Sequence, residues 1–308
     1  MHWKKLGLVY GPDGSLPWAA SHAMVPTPFL LNDQTIRVFV TFCDKKGIGR
    51  PGYVDVSVHD PLKVLGVSNQ PLLEPGIPGT FDENGLLTCS VTDLGDGKMY
   101  MYYVGFELGT KIRYRLLTGL AISLDGGNSF KRYKPTPVLE RSSAELYFRG
   151  GPYCLYLAHR FCLWYVAGSK WRYLDGKAMP EYDIRYAESD DGIHWPSVGE
   201  VQIPVTQIDE YGFGRPCVIP KSSGGFRIFY SVRSLSMGSY RLGYAESADG
   251  HNWNRMDEKL NLDVTPDSFD SHAIMYAAPI EICGKLYVFY NGNDFGRAGF
   301  AVALLEAE

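Results

Sequence analysis

The segment ESDDGIHW (Glu188–Trp195) returns with little change as ESADGHNW (Glu246–Trp253). Each is an Asp-Gly turn that closes a run of strand-forming residues, IRYAESDDG (184–192) and LGYAESADG (242–250). Related runs stand at GYVDVSV (52–58), GLAISLDGG (119–127) and GFAVALLEA (299–307). Upstream of these lie five aliphatic-aromatic runs: IRVFVTF (36–42), KMYMYYVG (98–105), FCLWYVAG (161–168), FRIFYSV (226–232) and KLYVFYNG (285–292). Aligned on Phe39, Tyr102, Trp164, Phe229 and Phe289, they are spaced by 63, 62, 65 and 60 residues. A period of this size, rich in β-branched and aromatic residues and punctuated by Gly, Asp and Pro, marks an all-β chain with one four-stranded blade per repeat, a five-bladed β-propeller.

The expected domain is single, with blades at roughly 20–74, 81–140, 144–203, 209–262 and 269–308 plus 1–10. The last blade ends after its third strand, and MHWKKLGLV (1–9) places Trp3 as Trp195 and Trp253 are placed in theirs. The N-terminal segment is therefore expected to complete blade five and remove the open edges of the ring.

Composition sets bounds on function. The net charge of −4 gives no reason to expect nucleic-acid binding or attraction to an anionic membrane. The first residues lack an apolar run of signal-peptide length, which points to a cytoplasmic protein. Six cysteines, scattered without metal-type spacing, read as buried free thiols. With 21 Tyr, the chain is rich in residues that pack in strands and stack on sugar rings.

The innermost strand of each blade should precede each aliphatic-aromatic run: SHAMVPTPFLL (21–31), FDENGLLTCSV (81–91), AELYFRGGPYCL (144–155), DEYGFGRPCVI (209–219) and FDSHAIMYAAPI (269–280). Four of these open with acids, Asp82 with Glu83, Glu145, Asp209 with Glu210, and Asp270. Arg149, Arg215, His22 and His272 lie in the same segments. A ring of charges around a central funnel is costly to assemble unless something binds there, so the axis is the expected ligand site. Its walls are expected from the loops 43–50, 105–115, 168–183, 233–241 and 291–297; the third carries Trp171 and is the candidate for substrate selection.

Two resemblances follow. SLDGGNSF (123–130) is similar to the Asp-box of sialidase propellers, a structural turn; five units and no assignable arginine triad set sialidase activity aside. The inner-strand acids and the Ala-Glu-Ser-x-Asp-Gly-x-x-Trp turns resemble the five-bladed propeller superfamily of arabinanases, levansucrases, invertases and mannoside phosphorylases, including glycoside hydrolase families 43, 32, 68, 117 and 130. This resemblance implies action on a glycosidic bond, with Glu145 as general acid and Asp82 as orienting carboxylate. Blade one departs from the pattern, offering Ser21 and His22 where the superfamily places an Asp. Asp270 or Glu210 is then the stand-in for the missing base, or phosphate is the nucleophile, held by Arg149, Arg215, His22 and His272. Glu83 and Trp171 complete the expected binding residues. No cofactor is implied beyond a calcium ion on the axis near His272. The expected partner is a carbohydrate or sugar-containing small molecule; the alternative function is a carbohydrate-binding propeller that has lost catalysis.

Overall fold

The computed structural model describes residues 1–174 and 176–308; Asp175, in the third expected wall loop, lies outside the described residues. The first strand, β1 (His2–Tyr10), stands apart in sequence from the sheet it joins. Next come β2 (Ser21–Leu30), β3 (Thr35–Cys43), β4 (Gly49–Ser57) and β5 (Val64–Val67), an antiparallel sheet in that order. The second group is β6 (Leu86–Asp93), β7 (Met99–Leu108), β8 (Tyr114–Ser123) and β9 (Lys131–Arg132), and the third is β10 (Phe148–Leu157), β11 (Arg160–Leu174), β12 (Lys177–Ser189) and β13 (Glu200–Ile203). The fourth holds β14 (Glu210–Pro220), β15 (Phe226–Ser234), β16 (Tyr240–Ser247) and β17 (Trp253–Arg255). The last is β18 (Met275–Ile282), β19 (Lys285–Asn291) and β20 (Phe300–Ala307), with β1 paired antiparallel to β20 as its outer strand. Inner strands touch in the cycle β2, β6, β10, β14, β18 and back to β2, the arrangement of a propeller.

The aromatic repeat has a structural cause. Phe39, Tyr102, Trp164, Phe229 and Phe289 sit at one register, opposite Thr27, Ser90, Tyr153, Cys217 and Ala278 on the inner strands. Each sheet is covered on both faces by neighbouring sheets, so the strands read as continuous apolar runs rather than alternating ones. The aligned residue of one blade packs under the next blade's turn segment: Phe39 against Phe130, Tyr102 against Trp195, and Phe229 against Trp3 at 6.0, 6.1 and 6.4 Å. Trp3 thus occupies the place of Trp195. Its indole N–H also donates to the Leu260 carbonyl at 2.7 Å.

The recurring turns are built alike. Ser189 Oγ donates to Asp191 Oδ1 and accepts from the Gly192 N–H, while Asp191 Oδ1 accepts from the Ile193 and His194 N–H groups. Asp125 and Asp249 repeat this network with Ser123 and Ser247. Gly192 has φ +72°, and a Cβ there would lie 2.6 Å from Tyr102 Oη, so only glycine fits. Against the upward push of partial burial, hydrogen bonds from Ser129 and Ser123 lower Asp125 to about 2; Asp191 and Asp249 are also depressed, Asp249 chiefly by the Asn252 N–H. A depressed folded-state pKa stabilises the fold above the unfolded value and loses that contribution as pH falls through the folded value. Stability is accordingly expected to decline between roughly pH 4 and pH 2, with Asp249→Asn flattening part of the decline in an acid-unfolding series read by circular dichroism.

Three expectations are corrected. The acids in FDENG, AELYF and FDSHA precede their strands, because β6, β10 and β18 begin at Leu86, Phe148 and Met275. Most of segment 168–183 lies in β11 and β12, which extend beyond the other second and third strands as a long hairpin, so it is not a loop. Five cysteines are buried, but Cys283 is exposed, since it stands in the turn between β18 and β19. No helix among the described residues is long and apolar enough to cross a membrane.

Candidate functional site

At the axis every inner strand carries a bulge at the same register, between Met24 and Thr27, Thr88 and Ser90, Gly150 and Tyr153, Gly214 and Cys217, and Met275 and Ala278. A bulge bends its strand and re-aims one side chain. Val25, Arg215 and Tyr276 hold positive φ there, at 55°, 31° and 58°, strain that surrounding structure must enforce. Arg215 is buried and bridges four blades: from β14 it donates to Thr27 Oγ1 at 2.7 Å, the Cys89 carbonyl at 3.0 Å and the Tyr276 carbonyl at 3.3 Å. It closes the axis with a guanidinium.

The four candidate catalytic acids do not meet around this axis. Asp82 is fully buried and takes hydrogen bonds from Tyr103 of β7 at 2.9 Å and Arg132 of β9 at 2.8–2.9 Å. Glu145, also fully buried, pairs with Arg149 at 2.6 Å and Arg185 of β12 at 3.0 Å, and accepts from Tyr165 of β11 at 2.9 Å and the Gly199 N–H at 2.8 Å. Glu210 is held by both terminal nitrogens of Arg255 of β17, which also binds Asp257, itself the acceptor for Tyr230 of β15. Asp270 pairs with Lys5 of β1 at 2.5 Å and faces Tyr290 of β19. Asp82, Glu145 and Asp270 thus tie the start of their blade's inner strand to a tyrosine on the second strand and to a cation carried elsewhere in the blade, and Glu210 reaches Tyr230 through Arg255 and Asp257. In three of the four, that cation stands on the outer strand.

Tyr103, Tyr165, Tyr230 and Tyr290 each follow the aligned residue of their blade by one position. In blade one that position is Val40, and there the acid is missing too. The departure of blade one from the superfamily pattern coincides with the loss of a whole buried clamp.

Of the expected binding residues, Arg149 is buried and turned into its own blade, donating to the Glu140 and Pro196 carbonyls. Glu83 is exposed and accepts from the Gly79 N–H. His272 is exposed, and no group of three or more His, Cys, Asp or Glu side chains that could hold a metal ion exists among the described residues. His22 is half-buried, with Nδ1 2.8 Å from Ser21 Oγ; burial, reinforced by Arg297, lowers its pKa. Trp171 is half-buried against Phe148 at 5.5 Å and Tyr114 at 6.0 Å.

What converges instead is aromatic. Arg233, at the end of β15 and only 5% exposed, donates to Tyr182 Oη at 2.6 Å and lies 4.3, 5.2 and 5.8 Å from the ring centres of Tyr211, Tyr182 and Tyr240. Tyr240 packs on Tyr276 at 5.8 Å, and both rings pass over Gly214, next to Arg215. Tyr114, raised to about 12 by burial first and by Tyr182 second, completes the group. Blades two to five all contribute, and every ring except Tyr182 is partly open to solvent. Sequence reading pointed to the segments that carry these rings but missed the residues, because spacing does not reveal which tyrosines turn toward the axis.

No known family profile matches the chain. It is 31% identical over 306 residues to "Uncharacterized protein MT1551" of Mycobacterium tuberculosis, covering 99% of this chain and 100% of that one. Among solved structures it is similar to a "Glycoside hydrolase" with TM-score 0.76 and 17% identity, covering 99% of this chain and 92% of that one. A second, with TM-score 0.68 and 15% identity over 98% and 93% of the two chains, comes from work on the family of mannoside phosphorylases that contains glycoside hydrolases targeting β-1,2 mannosidic linkages in Candida mannan. The fold is that of the propeller glycosidase superfamily.

Proposed function

The chain belongs to the family of the mycobacterial protein MT1551, and on that premise we propose that it is a carbohydrate-active propeller whose sugar ligand sits among the tyrosines at the mouth of the axis. The observation that carries this reading is the group of Tyr114, Tyr182, Tyr211, Tyr240 and Tyr276 around Arg233, partly open to solvent. Ring faces stack on the apolar faces of sugars, and phenol and guanidinium donors match their oxygens. Folds that act on glycosides support a sugar over other small molecules.

Binding is favoured over hydrolysis by one observation. Two-carboxylate hydrolysis needs an acid and a base on opposite faces of the bond, both reachable by substrate. Asp82, Glu145, Glu210 and Asp270 are at most 4% exposed and already paired. Hydrolysis or phosphorolysis through Glu145 remains the second reading, and product release from an oligosaccharide panel, with and without phosphate, tests it. For the site itself, titration calorimetry with the same panel is expected to find a binder, and Tyr211→Ala to weaken it roughly 10-fold, the loss of one stacking surface. Unchanged affinity in Tyr211→Ala would place the ligand elsewhere.

A further inference from the structure

We propose that the sugar held among these tyrosines carries an anionic substituent, a carboxylate or a phosphate, with Arg233 as its counter-ion. The proposal rests on the carbohydrate reading above and narrows its substrate class.

A buried guanidinium is costly unless an acid compensates it. Several other arginines meet that requirement: buried Arg37 pairs with Asp55, buried Arg149 with Glu145, and half-buried Arg255 with Glu210 and Asp257. Arg233 differs. It is as buried as Arg37 and Arg149, yet its neighbours among the described residues are tyrosines rather than carboxylates, and its only side-chain hydrogen bonds among them run from Nη1 to Tyr182 Oη and the Pro180 carbonyl. Nε and Nη2 carry no hydrogen bond among the described residues, which leaves the edge of the guanidinium that grips carboxylate or phosphate through two parallel bonds.

Arg215 strengthens the case from below. Arg233 pairs in register with Gly212, three residues before Arg215 on the same inner strand. Arg215 also lacks a carboxylate partner among the described residues, and its Nε is buried without any partner. Two cations without a carboxylate partner among the described residues therefore stand beside one inner strand, β14, in a chain whose net charge is −4. The surrounding phenols donate hydrogen bonds to an anion while their faces hold the guanidinium. A neutral sugar would leave both charges unanswered.

The test is calorimetry on the full chain with three ligands of equal length: a neutral oligosaccharide, its uronic-acid counterpart and a phosphorylated one. We expect an acidic ligand to bind at least about 10-fold more tightly than the neutral one, Arg233→Gln to erase that advantage, and Arg233→Lys to keep part of it. Raising salt from about 0.02 M to about 0.5 M should weaken acidic ligands selectively in the unaltered protein, a readout independent of how the variants fold. Preference between the uronate and the phosphate identifies the anion. Equal affinity for neutral and acidic ligands, unmoved by Arg233→Gln, would overturn the proposal and leave the sugar site standing. So would inorganic phosphate that tightens the neutral ligand as much as a covalent substituent does, since the anion would then be a separate reactant. Binding of no sugar at all would remove the carbohydrate reading itself.

Discussion

Replacing Glu145 by Gln is expected to unfold the protein more readily while leaving its ligand site intact. The carboxylate faces two guanidinium groups, Arg149 at 2.6 Å and Arg185 at 3.0 Å, in a site with no solvent exposure. Gln keeps the shape and removes the charge, so buried Arg149 loses its carboxylate partner while half-buried Arg185 keeps Asp183; breaking a buried pair costs about 3–5 kcal/mol. At about 2 °C per kcal/mol for a chain of this size, the melting temperature should fall by roughly 6–10 °C. Asp183 sits in the same network through Arg185, and burial already raises its pKa; without Glu145 it becomes the only carboxylate left beside Arg185. A variant that keeps its melting temperature but loses turnover would return Glu145 to the role of general acid.

The second large effect is expected from deletion of Met1–Tyr10. β1 pairs with β20 from His2↔Ala307 to Tyr10↔Phe300, Trp3 fills the core between the last two blades, and Lys5 neutralises Asp270. Deletion removes all three at once. It leaves β20 as an open edge, strands a buried carboxylate and opens a cavity the size of an indole, each alone worth several kcal/mol. The truncated chain should lose cooperative unfolding and aggregate at room temperature, whereas Lys4→Ala, which keeps the backbone pairing and alters only an exposed side chain, should melt like the parent. A truncated chain that stays monomeric with an unchanged melting curve would show that β1 is dispensable.

The fold was legible because its packing repeats. An aromatic residue at one register of every second strand, and a Trp or Phe from the next blade laid against it, leave a period that spacing alone reveals; Trp3 gave away the role of the N-terminal strand by the same logic. The acids are held inside the blades for a physical reason. Distance along the chain places Asp82, Glu145, Glu210 and Asp270 near the axis, but they stand at or just before the first residue of their strands, where the side chain turns into the blade. The corrective signal lay in the sequence: a tyrosine one position after the aligned residue in blades two to five, replaced by Val40 in the blade that lacks an acid. The cage around Arg233 left a weaker trace: Tyr182 and Tyr240 share one repeat position, six residues before Glu188 and Glu246, but Tyr114, Tyr211 and Tyr276 stand at others.

The most direct measurement is titration of one bound oligosaccharide into Glu145→Gln and Arg233→Gln side by side, well below the melting temperature of either. Clamps inside the blades and a ligand site on the axis predict that Glu145→Gln binds within about 2-fold of the parent while Arg233→Gln loses at least about 10-fold. The reverse, binding lost with Glu145 and kept without Arg233, would contradict the account.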